Sequence, residues 1–214
     1  MTKKYELTDE TIEVDGHTLH RIKSLKDFLT VNAGDLGGFV ESENNLSQYG
    51  DCWVYLDAKV YGDSHVCDSG TVRDNARVFG NARVYGNAKV AGYSYVYGNA
   101  RVSGYAYVSG NSCVRGSAQV NGYAQVYCAL HEDAKVFGNA KVWGSAQVCG
   151  DAQVCGDARV YDDAKVYGNA KVCGDAKVYG NAQLYGEYFE FEEPEPEQKP
   201  TIVMSPLWEG LSSD

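Results

Sequence analysis

The sequence predicts an all-β solenoid, a parallel β-helix wound in triangular coils, and three periodic observations carry that prediction. An aliphatic residue recurs every six positions from Val54 to Val126 without a missed step, and again from Val136 to Leu184, giving 22 units. Two positions before each of these the residue is always small: Ala in 17 units, and Cys52, Ser64, Gly70, Ser94 or Ser112 in the others. Most units also place Gly followed by Asn, Asp or Ser between one aliphatic residue and the next. A period of six does not fit a helical stripe, whereas the alternation within each unit, such as Ala-Lys-Val-Tyr, fits a short strand. Gly-Asn or Gly-Asp supplies the corner, because Gly accepts positive φ and Asn or Asp bonds its own backbone.

The chain divides into three parts. Residues 1–49 read as an N-terminal hairpin cap and an opening coil, since residues 5 to 23 alternate apolar and polar about Asp15-Gly16, a two-residue hairpin signal. Such a cap covers the apolar cross-section and free strand edges that a first coil would expose. Residues 50–185 form the hexapeptide rod. No unit can bury its own Val, so stacking must supply the core, and three units per coil bring residues eighteen apart into register. Val54, Val72, Val90 and Val108 then share one column, and about seven coils are expected. Within the rod, Tyr127-Cys-Ala-Leu-His-Glu-Asp-Ala134 reads as an insertion of four residues that bulges from the surface. Residues 186–214 read as a strand-like start at Tyr188, Phe189 and Phe191, an acidic Pro/Glu linker, and an apolar tail from Ile202 to Trp208 that docks on the rod or on a partner.

Charge and cysteine content narrow the function classes. The formal net charge is −10, but the rod carries 13 Lys/Arg against 12 Asp/Glu, so the acidity belongs to the ends. An acidic rod imitating DNA and a nucleic-acid partner are both disfavoured. Seven cysteines with no CxxC pair, no signal-type apolar segment and no membrane-spanning run point to a cytoplasmic protein with reduced thiols and no membrane partner. Cys155 and Cys173 fall eighteen apart, yet a disulfide between them is not expected in such a compartment. The Lys and Arg residues that stand before many of the valines, such as Arg77, Lys89, Lys141, Arg159 and Lys177, are expected to pair with corner acids such as Asp151, Asp157, Asp163 and Asp175.

Val84-Tyr-Gly-Asn-Ala-Lys-Val90 is similar at every position to the unit of the hexapeptide-repeat left-handed parallel β-helix proteins. The resemblance, which covers about residues 37 to 185, implies a left-handed coil and a homotrimer. More narrowly, Gly37-Gly38-Phe39-Val40, Asn45-Leu46-Ser47 and Gly50-Asp51-Cys52-Trp53-Val54 resemble the opening of the YdcK-like transferase group and its phage or prophage relatives.

Two functional readings follow. In the first, the protein is a non-catalytic binding or scaffold protein, without cofactor or metal, whose outward aromatic and basic ladders recognise a protein or small molecule. If the bulge leaves the faces in step, Trp143, Tyr161 and Tyr179 stack over Tyr85 on one face, and Tyr61, Phe79 and Tyr97 line a second. Stacked aromatics also brace a strand ladder without any ligand. In the second, the resemblance makes His131 a general base in an acyl-CoA-dependent acyltransferase with its site between subunits. The four histidines His17, His20, His65 and His131 lack the spacing of a metal site.

Overall fold

The computed structural model describes residues 3–186 and the strand Tyr188–Glu190. The linker and apolar tail expected after that strand lie outside the described residues. Strand β1 (Tyr5–Val14) and strand β2 (His17–Ser24) form the expected antiparallel hairpin. Asp15 and Gly16 both take positive φ, 51° and 83°, which a two-residue hairpin turn with the right twist requires. Strand β2 pairs antiparallel with β3 (Leu36–Val40), and β3 then pairs parallel with the Val60 strand, so the hairpin extends one face of the rod.

From Trp53 onward the rod has three faces of short parallel strands. Naming each by its early valine, the Val54 face continues through Val72, Val90 and Val108, paired one above the next as the eighteen-residue spacing predicts. Every rod valine from Val54 to Val172 is fully buried, and each contributes on the order of 1.5–3 kcal/mol before chain entropy offsets most of it. The small position two residues earlier is buried too. Where it is Ser, the hydroxyl donates to nearby carbonyls, as Ser64 does to Tyr61 O at 2.7 Å and Val78 O at 3.1 Å.

The rod makes about eight turns, one more than the repeat count suggests, with eight strands on each of the Val54 and Val66 faces. Part of the difference is the opening coil, where β3 and Leu46 pair with the Val60 and Val66 strands. The rest lies in the supposed insertion, which is a correction. Ala129–Leu130 is a strand of the Val60 face, paired below with Cys113–Val114 and above with Gln147–Val148. Leu130 is fully buried and Cys128 fills the small position before it. The segment is therefore one unit that has lost two residues, not a bulge that has gained four. Val114 pairs with Leu130, Val120 with Val136 and Val126 with Val142, a step of sixteen on all three faces. Hydrophobic burial decides the outcome, since a bulge would leave Leu130 in water and interrupt the Val60 column.

The hairpin end is plugged by side chains. Tyr5, Ile22 and Trp53 are buried, with Phe28 and Tyr5 edge-on to Trp53 at 5.4 and 6.1 Å. Lys4, 0% exposed, donates from Nζ to Cys52 O at 2.9 Å and to Gly50 O at 3.3 Å, and lies 3.1 Å from Cys52 Sγ. It thereby satisfies carbonyls of the opening coil, and burial lowers its pKa.

Candidate functional site

The faces sort the predicted surface residues differently from the sequence reading. Because the short coil consumes sixteen residues, Trp143, Tyr161 and Tyr179 belong to the Val54 face, above Tyr127 and Tyr55. Tyr85 follows Val84 on the Val66 face, below the strands of Val136 and Val154. The expected alignment of Tyr85 with Trp143 is thus overturned by the missing corner. The upper stack itself is present: Trp143 lies on Tyr161 with centroids 4.6 Å apart and planes within 3°, and Tyr161 on Tyr179 at 5.4 Å. Rings stacked this way show their edges and hydroxyls to solvent rather than their faces.

Lys141, Arg159 and Lys177 stand two positions before these rings, on the same outward side of the same strands. They were expected to pair with corner acids. Among the described residues, no ion pair within 4.0 Å joins any of them to a carboxylate. Asp157 instead accepts a bond from Asn139 Nδ2 at 3.0 Å, and the corner acids Asp68, Asp74 and Asp162 accept from Gly86, Gly92 and Gly180 backbone N–H at 3.0–3.1 Å. Corner acids satisfy corner amides, which leaves the cation column of the upper Val54 face without neutralising partners.

The second strip also exists, with Tyr61 on Phe79 at 5.1 Å and Phe79 on Tyr97 at 4.8 Å. Its lower end is not a free surface. Tyr61 is only 2% exposed, packed with Leu19 and Phe39, and its hydroxyl donates to Asp15 at 2.7 Å. The hairpin tip has taken that ring as a docking point. His17 lies over Tyr61 at 5.2 Å and bonds Glu41 through Nδ1 at 2.9 Å, while Glu41 also accepts from Gly62 N–H at 2.7 Å. These bonds hold the Glu41 carboxyl below its usual range, His17 contributing most. Nothing in the sequence spacing joins His17 to Glu41, because the contact depends on how the hairpin folds over the first coils.

His131 continues the Val60 face above Arg115 and below Cys149, in a shallow groove of about 400 Å³ completed by Gly116, Glu132 and Gln147. Its Nδ1 accepts a hydrogen bond from Arg115 Nε, and Arg115 also reaches Tyr97 Oη at 3.4 Å. Burial first, and then Arg115, lower its pKa, which favours the neutral ring. With Nδ1 accepting from a guanidinium, the single ring proton sits on Nε2. In this arrangement the outer nitrogen can donate but has no lone pair with which to take a proton.

The family model for the YdcK beta solenoid repeat matches residues 76–92, 95–110 and 152–168, segments on both sides of the short coil. Over those segments the rod is similar to the YdcK beta solenoid repeat, consistent with its parallel β-solenoid fold. No curated protein matches the chain.

Two further features of this rod were missed from sequence. Cys155 and Cys173 form a disulfide, with Cα atoms 4.6 Å apart on adjacent coils of the Val66 face, against the expectation of free thiols. Their separation of eighteen was the visible signal, and only the assumption about compartment set it aside. Tyr105 and Tyr123, at corner positions where most units have Asn or Asp, stack at 4.9 Å and are 58% and 61% exposed. Among the described residues no three His, Cys, Asp or Glu side chains gather as a metal-binding group, and no helix is long and apolar enough to cross a membrane.

Proposed function

We propose that the protein is a non-catalytic binding or scaffold protein whose upper Val54 face, with Trp143, Tyr161 and Tyr179 beside Lys141, Arg159 and Lys177, recognises an acidic protein surface. The observation that carries this reading is the lack of carboxylate partners for three adjacent cations next to a half-exposed aromatic ridge. Apolar edges exclude water while the cations steer and orient an anionic partner, a combination favoured at interface cores and rims. The rigid coil spacing fixes the backbone positions of both columns, so no backbone ordering has to be supplied on binding. The resemblance to phage and prophage relatives makes a host protein the partner class to assay, and the same resemblance makes a homotrimer the assembly to test.

An acyltransferase reading rests on His131 as a base, and the bond from Arg115 to its Nδ1 argues for the opposite proton polarity. A His131→Ala variant is therefore expected to keep full partner binding and biological activity. The central test is affinity capture from the natural host with the full chain and with a Tyr161→Ala/Tyr179→Ala variant, at low and high salt. Specific capture that is lost in the variant and weakened by salt supports the reading. Capture indifferent to both refutes it.

A further inference from the structure

We propose that the short coil opens a slot on the Val54 face for a flat aromatic ring carrying an anionic group, stacked on Trp143 with its charge against Lys141 and Arg159. The inference deepens the binding reading above and rests on it.

The slot originates in the two residues that the unit Val126–Leu130 lacks. In complete coils one corner sits tightly on the next: a Cβ added to Gly104 would meet Gly122 N at 2.9 Å, and one added to Gly92 would meet Gly110 O at 2.8 Å. Gly110, at φ 73°, lies below the corner that has lost its Gly-Asn. A Cβ added to it would meet nothing closer than Tyr127 Cδ1 and O, at 3.9 and 4.0 Å. The edge of the rod is notched there, beside the start of the upper aromatic stack.

Tyr127 should be the next ring below Trp143 in that stack, and it does not take the place. It is turned edge-on to Tyr107 across the strand, with centroids 5.9 Å apart and planes at 84°. Trp143 is covered by Tyr161 on one side, and among the described residues no ring stacks on the other. A groove of about 500 Å³ remains, lined by Gln125, Tyr127, Lys141, Trp143 and Arg159.

The lining specifies the ligand. One ring layer of the ladder is vacant, and successive coils are separated by about 4.8 Å, which admits a planar ring but crowds a puckered one. The charged lining groups are both cations, with an amide and a phenol hydroxyl able to donate, and no carboxylate among them. A phosphate or carboxylate on the ring would meet charge-assisted donors on Lys141 and Arg159. An aromatic ring carrying either anion has the shared chemistry.

The test is calorimetric titration of the full chain with adenosine 5′-monophosphate and with 4-hydroxybenzoate, using adenosine and inorganic phosphate as single-feature controls. Saturable binding of at least one ring anion, at least ten-fold tighter than either control, is expected. Trp143→Ala should weaken it at least ten-fold, and Lys141→Gln/Arg159→Gln should remove most of its salt dependence. A third variant inserts Gly-Asn after Tyr127, restoring an eighteen-residue coil. It should melt no earlier than the parent chain and lose the site. Binding of the phosphate probe alone or the carboxylate probe alone identifies which anion the slot takes. Binding of neither probe, or binding unchanged by Trp143→Ala or by the restored corner, overturns the slot. Host capture through Tyr161 and Tyr179 is scored separately, so a lost slot with retained capture removes this inference and leaves the wider reading standing.

Discussion

Single residues in this rod do work that their sequence neighbours do not announce. Lys4 is a buried ammonium whose partners are carbonyls of the opening coil and the Cys52 sulfur, so Lys4→Met should leave those carbonyls without a donor. The expected loss is about 1–3 kcal/mol, read by chemical denaturation of the full chain. Glu41 supplies a pH-dependent pin. Its folded-state pKa is depressed by His17 and by Gly62 N–H, so its contribution is present above the unfolded value and disappears as pH falls through the folded one. Stability should therefore decline on the acid side of the ordinary glutamate range, and Glu41→Gln should flatten that limb in melts recorded across pH. Leu130 tests the corrected register most directly. As a buried column member it should cost about 2–5 kcal/mol when truncated to Ala, whereas a residue in a surface bulge would cost almost nothing.

At the scale of elements, the hairpin, the hexapeptide strand and the short coil differ in how much the sequence disclosed. The hairpin was legible because Asp15-Gly16 sits at the symmetry point of an alternating pattern, and turn chemistry is local. Its docking partners Tyr61 and Glu41 were not, since they come from coils 24 to 46 residues away. The strands were legible because each Val repeats the same local rule. The short coil was misread because counting forward by six from Val126 lands on Glu132 and passes over Leu130, which lies only four residues on, is Leu rather than Val, and has Cys128 instead of Ala two positions before it. Cys128 is as small as the Ser and Gly that occupy the same place elsewhere, so the clue was present but chemically disguised. That single misreading moved Trp143, Tyr161 and Tyr179 onto the face of Tyr85 and gave His131 a loop it does not occupy. A consequence at this scale is that disulfide formation between the Cys155 and Cys173 strands should leave five titratable thiols out of seven in the unreduced chain. A count of seven on native, non-reduced protein would show the pair to be open.

For the whole molecule, nearly all the stabilisation is nearest-neighbour, so coils melt as a cooperative chain from their weaker end. The Lys4 and Trp53 plug guards one end. Toward the other, Val178 and Leu184 lose the complete burial that every earlier column member enjoys. Sequence predicted the periodic body well, because periodicity is a property of the whole string. It predicted the binding surface only in part: the Trp143, Tyr161 and Tyr179 order was visible, while the unpaired state of Lys141, Arg159 and Lys177 required knowing where corner acids spend their hydrogen bonds.

The covalent tie between Cys155 and Cys173 changes how that weaker end can come apart. Two rungs that would otherwise peel away one at a time are stapled together, so unzipping past Cys173 must drag the rung of Cys155 with it. Closing a ring of this size removes on the order of 3 kcal/mol of freedom from the loosened chain. Reductant alone should therefore shorten the ordered stretch from the far tip, with amide exchange rising first around Val172 and Val178 while the rungs near Trp53 stay shut.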